Sequence, residues 1–115
     1  MHSPLAPAVQ DALADARRAL ATLYGDRLVH AVLYGSQARG EARAESDVDV
    51  LVVLRDPVAD YREIKRLVPL AMDLQDRHGV DLHLIPFSAD RYADPAHPLM
   101  MNVHGEGIDL ADVAP

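Results

Sequence analysis

Three carboxylates and one glycine-serine pair carry the chemistry that this sequence can do. Asp47 and Asp49 open the aliphatic run Val50 to Val53, and Asp81 is the second residue of another such run, Val80 to Ile85. Residues two apart on a strand share a face about 6.5 to 7 Å apart, and a neighbouring strand stands about 4.8 Å away, so the three acids can form one cluster. Alone, such a cluster is unfavourable, because each carboxylate raises the pKa of the next. A hard divalent cation relieves it: Mg2+ takes a few carboxylates together with waters and substrate phosphate oxygens. Two such ions about 3.5 to 4 Å apart would activate an attacking oxygen and stabilise a leaving one in an in-line phosphoryl displacement.

Gly35 and Ser36 supply the other half of that chemistry. Gly35 lets the backbone approach a ligand closely. A short helix over about Gln37 to Ala42, capped by Ser36, would offer unpaired N–H groups and a positive dipole end to phosphate oxygens. Ser36 adds a hydroxyl, and Arg39 can add a bidentate contact. Cation on one side and anion site on the other define a place for a nucleotide triphosphate tail. A Gly-Ser pair is commonly a turn and an Asp-x-Asp commonly a cap; the specific feature is the first followed by ten residues and then the second, opening an apolar strand.

The elements that must position these residues are legible from periodicity. Val9, Leu13, Ala16, Leu20 and Leu23 form one stripe of a helix from Ala8 to Tyr24, stopped by Gly25. Leu28 to Tyr34 reads as a buried strand, in which His30 is a core or rim histidine. Asp47 to Leu54 is a second strand. Asp60 to His78 is helical, with Ile64, Leu67, Val68, Ala71 and Leu74 on its apolar face, Arg62, Lys65 and Arg66 on a solvated one, and Gly79 as a stop. Pro69 predicts a kink or a break near Val68, because an interior proline removes a backbone bond and costs about 3 kcal/mol or more. Val80 to Ile85 alternates as a third strand ended by Pro86, with Asp81 and His83 on its polar face. Ser88 to Pro98 is turn-rich; Leu99 to His104 reads as a short helix and Gly105 to Leu110 as a small edge strand. The fold class expected is α/β (α+β): a small mixed sheet of three to four strands with helices packed on it, in one domain spanning residues 1–115.

Composition narrows the function classes. A net charge of −7 argues against direct nucleic-acid binding, which is driven by Lys and Arg displacing counterions. No apolar run approaches the roughly 20 residues of a membrane span, and the N-terminus does not read as a secretory signal. The chain has no cysteine, which excludes disulfides and thiolate zinc sites and fits a cytoplasmic location. The 115 residues leave no room for a separate acceptor-binding domain, so a partner would complete the site.

Tyr34 to Gly40, followed by Ser46 to Val52, resembles the signature of the DNA polymerase beta superfamily of nucleotidyltransferases, and the chain is most similar to its minimal members (MNT), antitoxins paired with helical HEPN toxins. That resemblance implies a polymerase-beta-like fold. It implies that Gly35 and Ser36 hold the triphosphate of ATP and that Asp47 and Asp49 bind Mg2+, two ions in all. It implies that Asp81 matches the third carboxylate, a metal ligand that helps deprotonate the attacking hydroxyl. Arg39 and Gly40 fit the minimal subgroup's extended motif, with Arg39 as a phosphate contact; His83 has no family role and reads as a neighbour of the site. The implied function is transfer of AMP to a tyrosine hydroxyl of a HEPN toxin. The rival readings are an antitoxin that acts by masking its partner and an adenylyltransferase of small molecules; homo- or hetero-oligomers stay open.

Overall fold

The computed structural model describes residues 5–35, 47–55, 60–94, 96 and 106–113. Helix α1 (Pro7–Tyr24) leads through a 3-10 turn (Gly25–Arg27) into β1 (Leu28–Tyr34). Strand β2 (Val48–Leu54) is followed by α2 (Asp60–His78), β3 (Leu82–Ser88) and the one-turn α3 (Ala89–Tyr92). A two-residue strand β4 (Ile108–Asp109) and α4 (Leu110–Val113) complete the described elements.

The strands form one mixed sheet in the order β3-β2-β1-β4. Strand β1 runs antiparallel to both β2 and β4, whereas β2 and β3 are parallel. A parallel pair needs a long crossover, and α2 supplies it. Central β2 is nearly all aliphatic, with Val48 and Val50 to Leu54 buried, as a strand covered on both faces requires. Its side chains alternate between two cores. Val48, Val50, Val52 and Leu54 face Leu13 and Leu20 of α1, Leu67 and Leu74 of α2 and Leu110 of α4. Leu51 and Val53 meet Val32, Phe87 and the partly buried Tyr34, Ile85 and Tyr92 on the other side.

Helix α2 is rotated relative to the expected apolar face. Leu67, Ala71 and Leu74 are buried, but Ile64 and Val68 are 46% and 47% exposed, and the innermost first-turn position belongs to Glu63, 2% exposed. A buried carboxylate needs partners. Glu63 accepts hydrogen bonds from the Tyr24 hydroxyl at 3.3 Å and from Arg27 at 3.0 Å, with Arg66 at 3.6 Å. This network lets an acid take a core-facing place and leaves Ile64, Val68 and Met72 on an exposed shoulder. In α1, likewise, Tyr24 is buried while Leu23 is 41% exposed.

Two prolines lie inside their elements rather than at an end. Helix α2 continues through Pro69 without breaking. Pro69 lies on the exposed side, where solvent can reach the Lys65 carbonyl that proline leaves without a donor, while Leu67, Ala71 and Leu74 anchor both halves of the helix. Strand β3 begins at Leu82 rather than Val80 and runs past Pro86 to Ser88. It is the outer strand beyond β2, and an edge strand tolerates a residue without an N–H. The helices expected over Gln37 to Ala42 and Leu99 to His104 lie outside the described residues, as does part of the loop before Pro98.

Candidate active site

The site lies where the amino ends of β2 and β3 meet the carboxyl end of β1. Parallel pairing aligns Val48 with Leu82 and Asp49 with His83, and antiparallel pairing sets Tyr34 against Asp49. Asp47 and Asp81 are therefore adjacent positions, each one residue before its strand. Val48 donates its backbone N–H to the Asp81 carbonyl at 2.8 Å, and Gln75 of α2 donates to the Leu82 carbonyl at 2.7 Å, fixing the start of β3 against its helix.

Strand alternation puts Asp49 on the Leu51 face of the sheet and His83 on the Ile85 face, away from α1 and α2. There, Asp47, Asp81 and His83 each offer one ligand atom, and these atoms lie within 4.8 Å of one another. His83 Nε2 stands 3.0 Å from Asp81 Oδ1. All three side chains are exposed, His83 and Asp81 by about half, so a cation has open access. The Asp81 carboxylate, hydrogen-bonded to Asp47 and repelling it, pushes the Asp47 carboxyl above the ordinary carboxylate range, opposed by His83. A carboxylate pair that raises a pKa in this way has negative charge to spare for a cation, so the donor set fits a divalent ion.

Asp49 stands on the same face, and its charge adds to the rise at Asp47. It stands outside the group of three, and its Oδ2 turns towards Gly35, 3.3 Å from where a Cβ on that glycine would lie. Gly35 has φ +78°, in the left-handed region that glycine alone adopts freely. The backbone angle favours glycine here, and a Cβ would press the Asp49 carboxylate aside by a few tenths of an ångström. Tyr34, partly buried, is pushed up in pKa by burial and then by Asp49. A groove of about 280 Å3 runs along β3, lined by Asp49, His83, Leu84 and Ile85 and by Val68 and Met72 of α2.

Of the sequence candidates, Asp47 and Asp81 are brought together, with Asp49 and Gly35 beside them. Ser36, Arg39 and Gly40 lie outside the described residues. His83, read from the sequence as a bystander, is part of the cluster. Its signal was the alternation that placed it two residues from Asp81 on the same side of the strand.

The family model of the nucleotidyltransferase domain matches residues 13–97, which include this whole arrangement. The chain belongs to that family. This nucleotidyltransferase is 33% identical over 55 residues to a Methanocaldococcus jannaschii protein named "Putative protein adenylyltransferase", a match covering 48% of this chain and 54% of the relative. The chain thus spans about half the length of that curated relative. Among solved structures, a toxin-antitoxin crystal structure with AMP-PNP resembles it with a TM-score of 0.58 and 23% identity, over 84% of this chain and 70% of the other. A tri-AMPylated Shewanella oneidensis HEPN toxin in complex with MNT antitoxin gives a TM-score of 0.54 and 21% identity, over 88% and 71%. These likenesses establish the fold: the mixed sheet with packed helices is that of a nucleotidyltransferase.

Proposed function

We propose that this nucleotidyltransferase transfers AMP from ATP to a hydroxyl of a partner protein, a tyrosine of a HEPN-type toxin, and thereby acts as its antitoxin. The observation that carries the reading is the apposition of Asp47 and Asp81 at the paired starts of β2 and β3, with Asp49 and Gly35 at the same end of the sheet. The curated relative named as a protein adenylyltransferase and the fold shared with a complex that contains an AMPylated toxin support it.

In this reading the acceptor oxygen attacks the α phosphorus of ATP, the bond from that phosphorus to the bridging oxygen breaks, and pyrophosphate leaves. Asp81 takes the acceptor's proton. Asp47, Asp49 and Asp81 would hold Mg2+, which when bound neutralises charge on the phosphates and lowers the pKa of an attacking oxygen. Gly35 brings the backbone close to the phosphates, and Ser36, Arg39 and Gly40 would hold the β and γ groups. The groove lined by Asp49, His83, Val68 and Met72 reaches one of these carboxylates, Asp49, and would receive an acceptor side chain there.

The test is incubation of the chain with Mg2+, ATP labelled at the α phosphate and a HEPN-type partner protein. Label is expected on a tyrosine of that partner and is lost on chelation of the metal. Label that never reaches protein overturns the proposal, as does full neutralisation of the toxin by an Asp47→Asn chain, which would mean masking rather than transfer.

A further inference from the structure

The exposed apolar side chains of this protein are gathered rather than scattered. Among the described residues six large hydrophobic side chains are exposed, and four of them, Tyr61, Ile64, Val68 and Met72, lie on α2, Tyr61 at 73% and Met72 at 57%. Spacings of three and four residues put them on one stripe of the helix, about 16 Å from first to last at a rise of about 1.5 Å per residue. Single exposed apolar side chains are ordinary; several joined along one face mark an interaction surface.

The stripe is continuous with the site. Val68 and Met72, its second half, also line the groove along β3 that reaches Asp49. Because α2 is the crossover between parallel β2 and β3, its carboxyl end lies at the end of the sheet that carries the carboxylates, and Tyr61 lies towards the other end. Charge divides the stripe in the same direction. In a chain with a net charge of −7, the exposed cations Arg62, Lys65 and Arg66 stand beside the first half, Lys65 Nζ 4.9 Å from the centre of the Tyr61 ring and Arg66 3.6 Å from Glu63. Asp73, paired with Arg77 at 3.0 Å, and Asp76 stand beside the second half, nearer the site. The basic end attracts acidic side chains on a partner, and the acidic end keeps them from the site.

We propose that Tyr61, Ile64, Val68 and Met72 form the docking surface for an amphipathic helix of the acceptor protein. The apolar face of that helix is flanked by acidic side chains where it meets Arg62, Lys65 and Arg66, and its other end delivers the acceptor hydroxyl into the groove at Asp49. Such a helix anchors itself through apolar side chains three and four residues apart, the spacing that α2 presents. Apolar contact holds the partner, and charge sets its direction along α2. The proposal rests on the protein-acceptor reading above and adds to it the surface that recognises the acceptor.

The experiment measures calorimetric binding of the whole chain to a HEPN-type partner protein without ATP or metal, and AMP transfer to that partner separately. Tyr61→Ala with Ile64→Ala is expected to weaken binding about tenfold or more, the scale of truncating central interface anchors. Arg62→Glu with Lys65→Glu is expected to weaken it about tenfold at low salt and less at high salt. Both pairs should raise KM for the partner in AMP transfer. Leu23→Ala, which truncates an exposed apolar residue of α1 off the stripe, should leave binding unchanged. Wild-type affinity should itself fall as salt rises, a reading that needs no variant; affinity indifferent to salt overturns the proposal. Binding unaffected by either pair of substitutions also overturns it, as does a loss with Leu23→Ala in their place, which would move the partner to the α1 side. Self-association of the wild-type chain abolished by Tyr61→Ala with Ile64→Ala, with partner binding intact, would make the occupant a second copy and overturn it too. Binding that depends on the stripe without AMP transfer by the wild type would overturn the proposed function and keep the docking surface. AMP transfer with a KM indifferent to the stripe would do the reverse.

Discussion

Val48 donates its backbone N–H to the carbonyl oxygen of Asp81 across 2.8 Å, and with that bond Asp47 and Asp81 become neighbours. The two acids are far apart in sequence, and the bond belongs to the ladder of a parallel pair whose crossover is α2. Sheet assembly and site assembly are therefore one event, and the folded chain holds two carboxylates against their mutual repulsion.

Relief of that repulsion should be visible in Asp47→Asn, which keeps the shape and removes one charge. Without divalent ions its unfolding temperature is expected to equal or exceed that of the wild type, and the stabilisation by Mg2+ or Mn2+ to shrink. AMP transfer should fall by about 100-fold or more, beyond the 10- to 100-fold typical of losing an outer partner of a metal ligand. Calorimetry with and without metal reads the first effect. A variant less stable than wild type in the metal-free state would contradict the repulsion.

Gly35→Ala carries two penalties. A left-handed angle costs an L-residue about 1–2 kcal/mol, and the new methyl would sit 3.3 Å from Asp49 Oδ2, so the carboxylate must shift. Urea unfolding should show the loss in stability, and single-turnover transfer should slow.

Glu63→Ala removes the acceptor shared by the Tyr24 hydroxyl and Arg27. Breaking a fully buried ion pair costs about 3–5 kcal/mol. Arg27 is 31% exposed and Arg66 45%, so about 2–3 kcal/mol is expected in urea unfolding. This network lies on the helical side of the sheet, so metal binding should be unchanged in the folded variant.

Two groups set opposite pH limits. Burial and the neighbouring Glu63 push the Tyr24 hydroxyl from 10.0 to about 12. Its contribution is full below pH 10 and lost as pH rises towards 12, because in that interval the unfolded chain releases a proton that the folded chain keeps. Asp15, beside His78 and then Arg18 and Arg77, is held below its ordinary value of 3.8. It contributes stability above that value, which is lost as pH falls through its folded pKa. Stability profiles of Tyr24→Phe and Asp15→Asn should be flatter at the alkaline and acid ends respectively.

Much of this architecture could be read from local periodicity. The stripe of α1, the run of β1 and the aliphatic β2 are set by spacing alone, and each has the bounds its pattern implies to within a residue. The apposition of Asp47 and Asp81 was legible as far as strand spacing carries it, since each acid opens an apolar strand and a neighbouring strand stands about 4.8 Å away. The misreadings share a cause, which is context from distant residues. Glu63 displaced Ile64 and Val68 from the core because Arg27 and Tyr24, on another element, receive it. Local rules make Pro69 a kink or a break and Pro86 a strand end, whereas the exposed side of α2 and the open edge of β3 let both elements run on. That Asp49 Oδ2 also lies beside Gly35 is a contact between two segments that strand spacing does not reveal.

Pro86 has a consequence for how copies of this chain meet. Strand β3 ends the described sheet, and an open edge is a template on which a strand from another molecule can pair. Near the middle of β3 the proline offers no hydrogen to a newcomer, so a strand laid along that edge would face a gap in its ladder. The residue that the sequence suggested would end the strand instead discourages the sheet from growing, protecting against aggregation the edge nearest the carboxylates.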